Sequence, residues 1–222
     1  MSLFDPAATA MLESSFFARP TTLVARELLG CVLVSRIGGA LTAGVVVETE
    51  AYLGSDDPGS HAATRGITAR NRVMYGPPGH AYVYFTYGNH HMLNLVTEME
   101  GVAGAVLIRA LEPVAGLEVM STRRGGRAGP ALTNGPGKLA AALGIDLTCN
   151  GVPLGESLAA YQGTGVPEER VGVSGRIGLS AGHELPLRFY VRDSDHVSKA
   201  SAGPRSSGRG TRGKRGRRHE TP

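Results

Sequence analysis

The sequence predicts an α+β domain built on an antiparallel or mixed β-sheet. Two observations carry that expectation. Alternating apolar runs arrive in pairs separated by turn residues, and segments with helix punctuation fall between the pairs, an order that a doubly wound parallel fold does not produce. In chain order, Thr21 or Thr22 can cap a short helix over LVARELL that Gly30 ends, and CVLVSRI then alternates as a strand. Gly38 and Gly39 mark a turn into VVVETEAYL, which makes these two strands a hairpin. A loop rich in Gly, Asp and Pro (Gly54 to Gly59) and a polar segment ending in TARNRVMYGPPG lead to HAYVYFTYGNHHMLNLVTE. There, two alternating stretches flank Tyr87-Gly88-Asn89, a second hairpin. VAGAVLIRALEP reads as a buried strand followed by a helix around Val114 to Arg123. GPGKLAAALG is Pro-started and Gly-stopped, a helix by its punctuation, and PLRFYVRD is the last strand.

At 222 residues and 41% hydrophobic, the chain can bury the core of one large domain. Nowhere do about 18 apolar residues run consecutively, and MSLFDPAATAMLESSFF lacks a basic start, so a cytoplasmic protein with no membrane partner is expected. Cys31 and Cys149 form no CxxC pair and read as reduced core residues. The net charge of +4 is unevenly spread. Residues 199–222 hold eight Lys or Arg against one Glu, which leaves 15 basic and 18 acidic residues in 1–198, a balance of −3. Rich in Gly, Ser and Arg and almost without apolar side chains, that stretch is expected to be a disordered basic tail on a domain spanning 1–198, suited to contact a polyanion.

Several motifs fail on inspection. Lys138 follows Gly137, but Leu132 stands where a P-loop needs its first Gly, and GVSGR lacks the spacing of a serine nucleophile elbow. His90 and His91 are strand neighbours that point to opposite faces, poor geometry for a metal, so none is expected. What remains is carboxylates, tyrosines and arginines. Glu48 and Glu50 interrupt an otherwise apolar strand and share one face with Tyr52, where neighbouring charges resist joint ionisation and burial raises a carboxyl pKa. Four of the seven tyrosines, Tyr75, Tyr82, Tyr84 and Tyr87, crowd into thirteen residues. Tyr82 and Tyr84 share a strand face, and Tyr87 falls at the hairpin tip, where an aromatic can wedge between stacked bases. Arg70 and Arg72 stand nearby as candidate phosphate contacts.

VVVETEAYLGSDDPGSH, ARNRVMYGPPGHAYVYFTYGNHHMLNLV, VLIRALEP, NGPGKL, RIGLS and PLRFYVRD, in that order, resemble the alkyladenine (3-methyladenine) DNA glycosylase family over roughly Pro20 to Ser198. The resemblance implies a single domain on a curved antiparallel sheet with surrounding helices and a protruding β-hairpin that enters the DNA minor groove. It further implies a monofunctional enzyme acting on double-stranded DNA that contains damaged purines; a monomer that uses no cofactor is expected. Residue by residue, Glu50 matches the general base that activates a water, and Arg109 the arginine that holds that water and carboxylate. Tyr52, His61 and Tyr84 match the walls around a flipped base, and Asn94 the pocket asparagine that disfavours guanine. Tyr87 matches the intercalating tyrosine. Arg70, Arg72, Asn89 and Lys138 are the candidate DNA contacts. Glu48 reads as a structural neighbour. Both Arg170-Val171-Gly172 and Arg176-Ile177-Gly178 match the segment whose backbone carbonyl completes the water site, and Ile177 is favoured because RIGLS lies closer to PLRFY. Two other classes fit parts of the pattern: a non-catalytic nucleic-acid-binding module with structurally paired acids, and a carbohydrate glycosidase using Glu48 and Glu50, which the lack of Trp and the basic tail disfavour.

Overall fold

The computed structural model describes residues 8–63, 66–86 and 88–198, so Tyr87 and the basic stretch 199–222 lie outside the described residues. Two short helices, α1 (Ser14–Phe17) and α2 (Thr21–Glu27), open the fold. Thr21 lies inside α2 and not at its cap. Pro20 occupies the cap, and the Thr21 N–H donates 77 residues away to Glu98 Oε1 (2.7 Å), so a tertiary carboxylate does what a local hydroxyl was expected to do.

Strands β1 (Val32–Ser35) and β2 (Thr42–Tyr52) form the first hairpin, and β3 (Ala81–Thr86) and β4 (His90–Val96) the second. The long strand β5 (Ala105–Ala115) follows, then α3 (Leu117–Arg123) and α4 (Pro136–Leu143). Helix α4 starts on its proline and stops at Gly144 in the left-handed region (φ 74°), as its punctuation predicts. Strand β8 (Arg188–Val191) is the expected PLRFYVRD strand. Two short strands come without a sequence signal: β6 (Leu158–Tyr161) and β7 (Val171–Ser174).

Among the described residues, eight strands form one curved sheet, antiparallel at every pairing, in the order β3-β4-β5-β2-β1-β6. Strand β2 is the branch point. Its first residues pair with β1, whereas Glu48 to Glu50 pair with β8, which brings β7 in behind. The register sets a row of residues across five strands, Tyr82↔Asn94↔Leu107↔Glu50↔Arg188.

Period-2 alternation decides what each face does. One face carries Val83, Leu93, Leu95, Ile108, Ala110 and Ala51 into the main core, under Val24, Ala25, Leu139 and Leu143 of the helices. Thr49 belongs to that face too, its hydroxyl donating to the Ala25 carbonyl of α2 (2.7 Å). The other face keeps Glu48, Glu50, Tyr52, Tyr82, Tyr84 and Asn94. Cys31 and Cys149 are buried free thiols, and burial pushes the Cys31 thiol up. No helix among the described residues is long and apolar enough to cross a membrane.

Candidate active site

The pairing of β2 with β5 slips three times, and the two slips around Glu48 build the site. Val46 pairs with Leu111 and Glu48 with Ala110, so Val47 is extra. Thr49 then pairs with Ile108, which leaves Arg109 as the unmatched residue on β5. Bulges of this kind re-aim a side chain. Arg109 is aimed between the two acids: its Nε–H donates to Glu48 Oε1 (3.1 Å), and its Nη1 lies 3.2 Å from Glu50 Oε2. Both carboxylates are completely buried.

Glu50 has three further neighbours. Tyr52 donates its hydroxyl to Oε2 (2.8 Å), the Ile177 N–H donates to Oε1 (2.7 Å), and Glu48 adds a like charge. Burial dominates and pushes the Glu50 carboxyl above the usual carboxylate range, against the opposing pull of Arg109, the Ile177 N–H and the Tyr52 hydroxyl. Burial likewise drives the Tyr52 hydroxyl far up, so it stays a donor. Arg109 is held charged: burial opposes its charge, but Glu50 and Glu48 outweigh that.

Above the acids opens a cleft of about 310 Å³, lined by Tyr52, His61, Arg70, Tyr84, Arg109 and Ile177 among others. A smaller lobe of about 50 Å³ continues behind it, where Tyr82, Asn94, Met74 and Leu179 join Tyr52, His61 and Tyr84. The His61 Nδ1 shares a 2.8 Å hydrogen bond with the Tyr82 hydroxyl, and its ring meets Tyr84 edge-on at 4.7 Å. Burial and the nearby charge of Arg70 bring the His61 pKa down to about 4, so the imidazole is neutral near pH 7 and offers one donor and one acceptor. Burial pushes the Tyr82 hydroxyl up to about 12. Asn94 is buried and donates its amide to the Tyr82 carbonyl (3.0 Å).

One face of the Tyr52 ring is covered by Arg176, whose guanidinium carbon stands 4.7 Å from the ring centre. Arg176 in turn holds Asp57 through two hydrogen bonds (2.5 and 2.6 Å), with both side chains completely buried, and also donates to the carbonyls of Ala51 and Gly182. A Cβ on Gly59 would stand 2.6 Å from Arg176 Nη2, so the loop approaches this closely only because the position is glycine. Arg176 thereby fixes the segment that points the Ile177 N–H at Glu50. The other candidate, Val171-Gly172, belongs to β7.

The predicted residues are thus gathered unevenly. Arg109, Ile177, Tyr52, His61, Tyr84 and Asn94 line one cleft and its lobe, and Glu50 is buried in contact with the first three of them. Arg70, expected at phosphates, stands with its guanidinium 5.1 Å over the Tyr84 ring. Arg72 is exposed on the adjacent turn, and Asn89 is exposed at the hairpin tip. Lys138 sits in the first turn of α4, donating to Asn134 Oδ1 (2.7 Å). Tyr82, Asp57, Arg176, Arg188 and Ser198 belong to the site and escaped the sequence reading. Of these Tyr82 had a signal, its shared face with Tyr84, and Arg176 stood in the segment matched to the water site. A larger groove of about 720 Å³, lined by Leu12, Phe16, Arg26, Glu27 and Cys31, lies apart from these groups. Its charges are spent on ion pairs, Arg26 with Glu168 and Glu27 with Arg19.

A buried carboxylate of raised pKa beside a fixed guanidinium that lines an aromatic slot suits a hydrolase whose substrate carries a flat ring. The family model described as methylpurine-DNA glycosylase matches residues 15–195. Among the curated proteins similar to this chain is one from Carboxydothermus hydrogenoformans, provisionally named 3-methyladenine DNA glycosylase. It is 51% identical over 191 residues, covering 85% of this chain and 99% of the relative. Proteins of the same provisional name from Chlorobaculum parvum (50% over 194 residues, 86% and 92%) and Methanoculleus marisnigri (48% over 192 residues, 85% and 98%) are similar too. The chain belongs to the methylpurine-DNA glycosylase family.

Proposed function

We propose that this protein is a monofunctional DNA-3-methyladenine glycosylase that takes alkylated purines out of duplex DNA and hydrolyses the N-glycosidic bond, with deaminated purines as a second lesion class. The observation that carries the mechanism is the wholly buried Glu50, which accepts from the Tyr52 hydroxyl and the Ile177 N–H and pairs with Arg109, three residues that line the aromatic cleft. Glu50 takes a proton from a water whose oxygen bonds to the sugar C1′, while the electrons of the breaking C1′–N bond pass to the departing purine. The products are the free base and an abasic site. A raised carboxyl pKa strengthens a general base as long as it stays ionised at the working pH, and Arg109 sustains that ionisation. Negative charge beside C1′ also favours the oxocarbenium-like transition state.

Tyr52 and Tyr84 form the walls for the extruded base, and their π-faces favour a cationic alkylated ring over a neutral one. Asn94 and His61 line the end of the pocket and read the edge of that base. Arg70, Arg72, Asn89 and Lys138 contact the DNA around it, and Tyr87 fills the gap that the base leaves. A cationic base departs without an acid. The −3 balance of residues 1–198 leaves sequence-independent DNA affinity to the basic stretch 199–222.

Duplex DNA containing a single alkylated purine, incubated with the protein and then treated with alkali, is expected to break at the lesion. Glu50→Gln keeps the shape and loses the base, so excision should fall about 10²- to 10⁴-fold while lesion binding persists. Strand breakage at parental rate in the folded Gln variant would remove Glu50 from this role.

A further inference from the structure

Glu48 has no part in the chemistry above, yet it is the more heavily held of the two acids. Its Oε1 accepts from Arg109 Nε (3.1 Å), Arg188 Nε (2.6 Å) and the Ser198 hydroxyl (2.8 Å), and its Oε2 accepts from the Ser198 N–H (2.6 Å). The Ser198 oxygen also lies 3.4 Å from Arg109 Nη2. A hydroxyl has one proton and two lone pairs, so the Ser198 side chain can donate to Glu48 and accept from Arg109 at the same time. Each nitrogen of Arg109 then has its own partner: Nε on Glu48, Nη2 on Ser198 and Nη1 beside Glu50.

We propose that Ser198 is a positioning residue, whose hydroxyl ties Glu48 to Arg109 and so fixes the orientation in which the guanidinium presents Nη1 to Glu50. The inference rests on the reading of Glu50 as the general base. Anchoring of this segment does not by itself call for this hydroxyl, because Val197 already packs against the main core and the Ser198 N–H is a backbone group that any residue but proline supplies. Charge makes the orientation matter. The two buried carboxylates are balanced by Arg109 and Arg188, and Arg188 reaches Glu48 alone. Glu50 depends on Arg109 for its compensating charge. When the hydroxyl is removed, the guanidinium is free to turn toward Glu48 and away from Glu50.

The test uses the full chain with Ser198→Ala, Ser198→Thr and Glu50→Gln. Single-turnover excision of a duplex carrying one alkylated purine is followed across the acid and neutral range, together with lesion-duplex affinity and thermal unfolding. Ser198→Ala should fold and bind the duplex as the parent does, and excise about tenfold more slowly, the size expected for losing one hydrogen bond to a charged group. The groups that face Glu50 are Arg109 from β5, Tyr52 and Glu48 from β2, and the Ile177 N–H. Loosening Arg109 weakens the largest interaction opposing the effect of burial, so the acid limb of the rate profile should move to higher pH. Ser198→Thr keeps the hydroxyl and should restore both rate and limb.

The proposal is overturned by an alanine variant with parental rate and limb, by one slowed with its limb unmoved, or by a folded threonine variant that restores neither. An alanine variant that unfolds under conditions where the parent is stable also overturns it, since the hydroxyl would then be a structural support. Glu50→Gln separates the two readings. Parental activity there removes the base and this inference with it, whereas an inactive Gln variant beside an unaffected Ser198→Ala removes only the inference.

Discussion

Two buried carboxylate–guanidinium pairs lie on either side of Tyr52, and they behave in opposite ways. Asp57 and Arg176 meet face to face through two hydrogen bonds, and the backbone N–H groups of Leu53 and Gly59 donate to the same carboxylate. Burial would raise the Asp57 pKa, but Arg176 and those N–H groups outweigh it and hold the carboxyl below the usual range. Glu50 shares its guanidinium with a second acid, meets only one of its nitrogens, and is pushed up. Two solvent-excluded carboxylate–guanidinium pairs thus give a closed rivet in one place and a carboxylate kept available in the other. What separates them is how completely the charge is answered, together with the heavier burial around Glu50.

The largest expected effect tests the rivet. Asp57→Asn leaves Arg176 charged and unanswered in the interior and should cost about 3–5 kcal/mol of stability, read from denaturant unfolding. Glu50→Gln should unfold no more easily than the parent, since ionised Glu50 is disfavoured by its surroundings. Similar losses in both would erase the contrast.

Acid titration of stability sharpens it. The depressed Asp57 pKa contributes stability that is present above the ordinary Asp value of about 3.9 and is lost as pH falls through the folded value. For Glu50 the sign reverses: once pH rises past the ordinary Glu value of about 4.3, keeping it in the fold costs stability, in full above its raised folded pKa. The stability gap between parent and Asp57→Asn should therefore close in acid, and that between parent and Glu50→Gln should move in favour of Gln as pH rises. Parallel curves would contradict both assignments.

Smaller effects probe the shared guanidinium. Glu48→Gln should slow excision by about tenfold or somewhat more, the scale of one charged hydrogen bond, and so keep more activity than Glu50→Gln. Equal loss in two folded proteins would exchange their roles. Tyr52→Phe removes one donor to Glu50 and should cost about 0.5–1.5 kcal/mol in the single-turnover barrier, with a small upward move of the acid limb. A parental rate and limb in Tyr52→Phe would show that this hydroxyl contributes nothing to Glu50.

What could be read in the sequence was whatever local periodicity encodes. Alternation put Glu48, Glu50 and Tyr52 on one face and Tyr82 with Tyr84 on another strand's face, and turn residues marked both hairpins. Strands β6 and β7 were missed because LAAY and VGVS are short and built largely of Ala, Gly and Ser, which give little apolar contrast, whereas the equally short β1 and β8 lie in the longer runs CVLVSRI and PLRFYVRD. The helix cap at Thr21 was misassigned because its acceptor comes from Glu98. No local pattern announces that Arg176 will find Asp57 across 119 residues, or Ser198 find Glu48 across 150. Glu50 and Arg109 were assigned by resemblance. The slips that turn Arg109 toward the acids are visible only once β2 and β5 are paired.

The row Tyr82, Asn94, Leu107, Glu50 and Arg188 belongs to no single segment; it exists only where five strands line up. An inserted or deleted residue in any of them would turn that strand's contribution over to the helical side while leaving most of its backbone pairing possible. Length changes should accordingly be tolerated in the connecting loops and be silent killers inside the strands, yielding proteins that still form a sheet and no longer assemble a working cleft. The alignment of the strands is itself heritable information about the reaction, stored in no residue's identity.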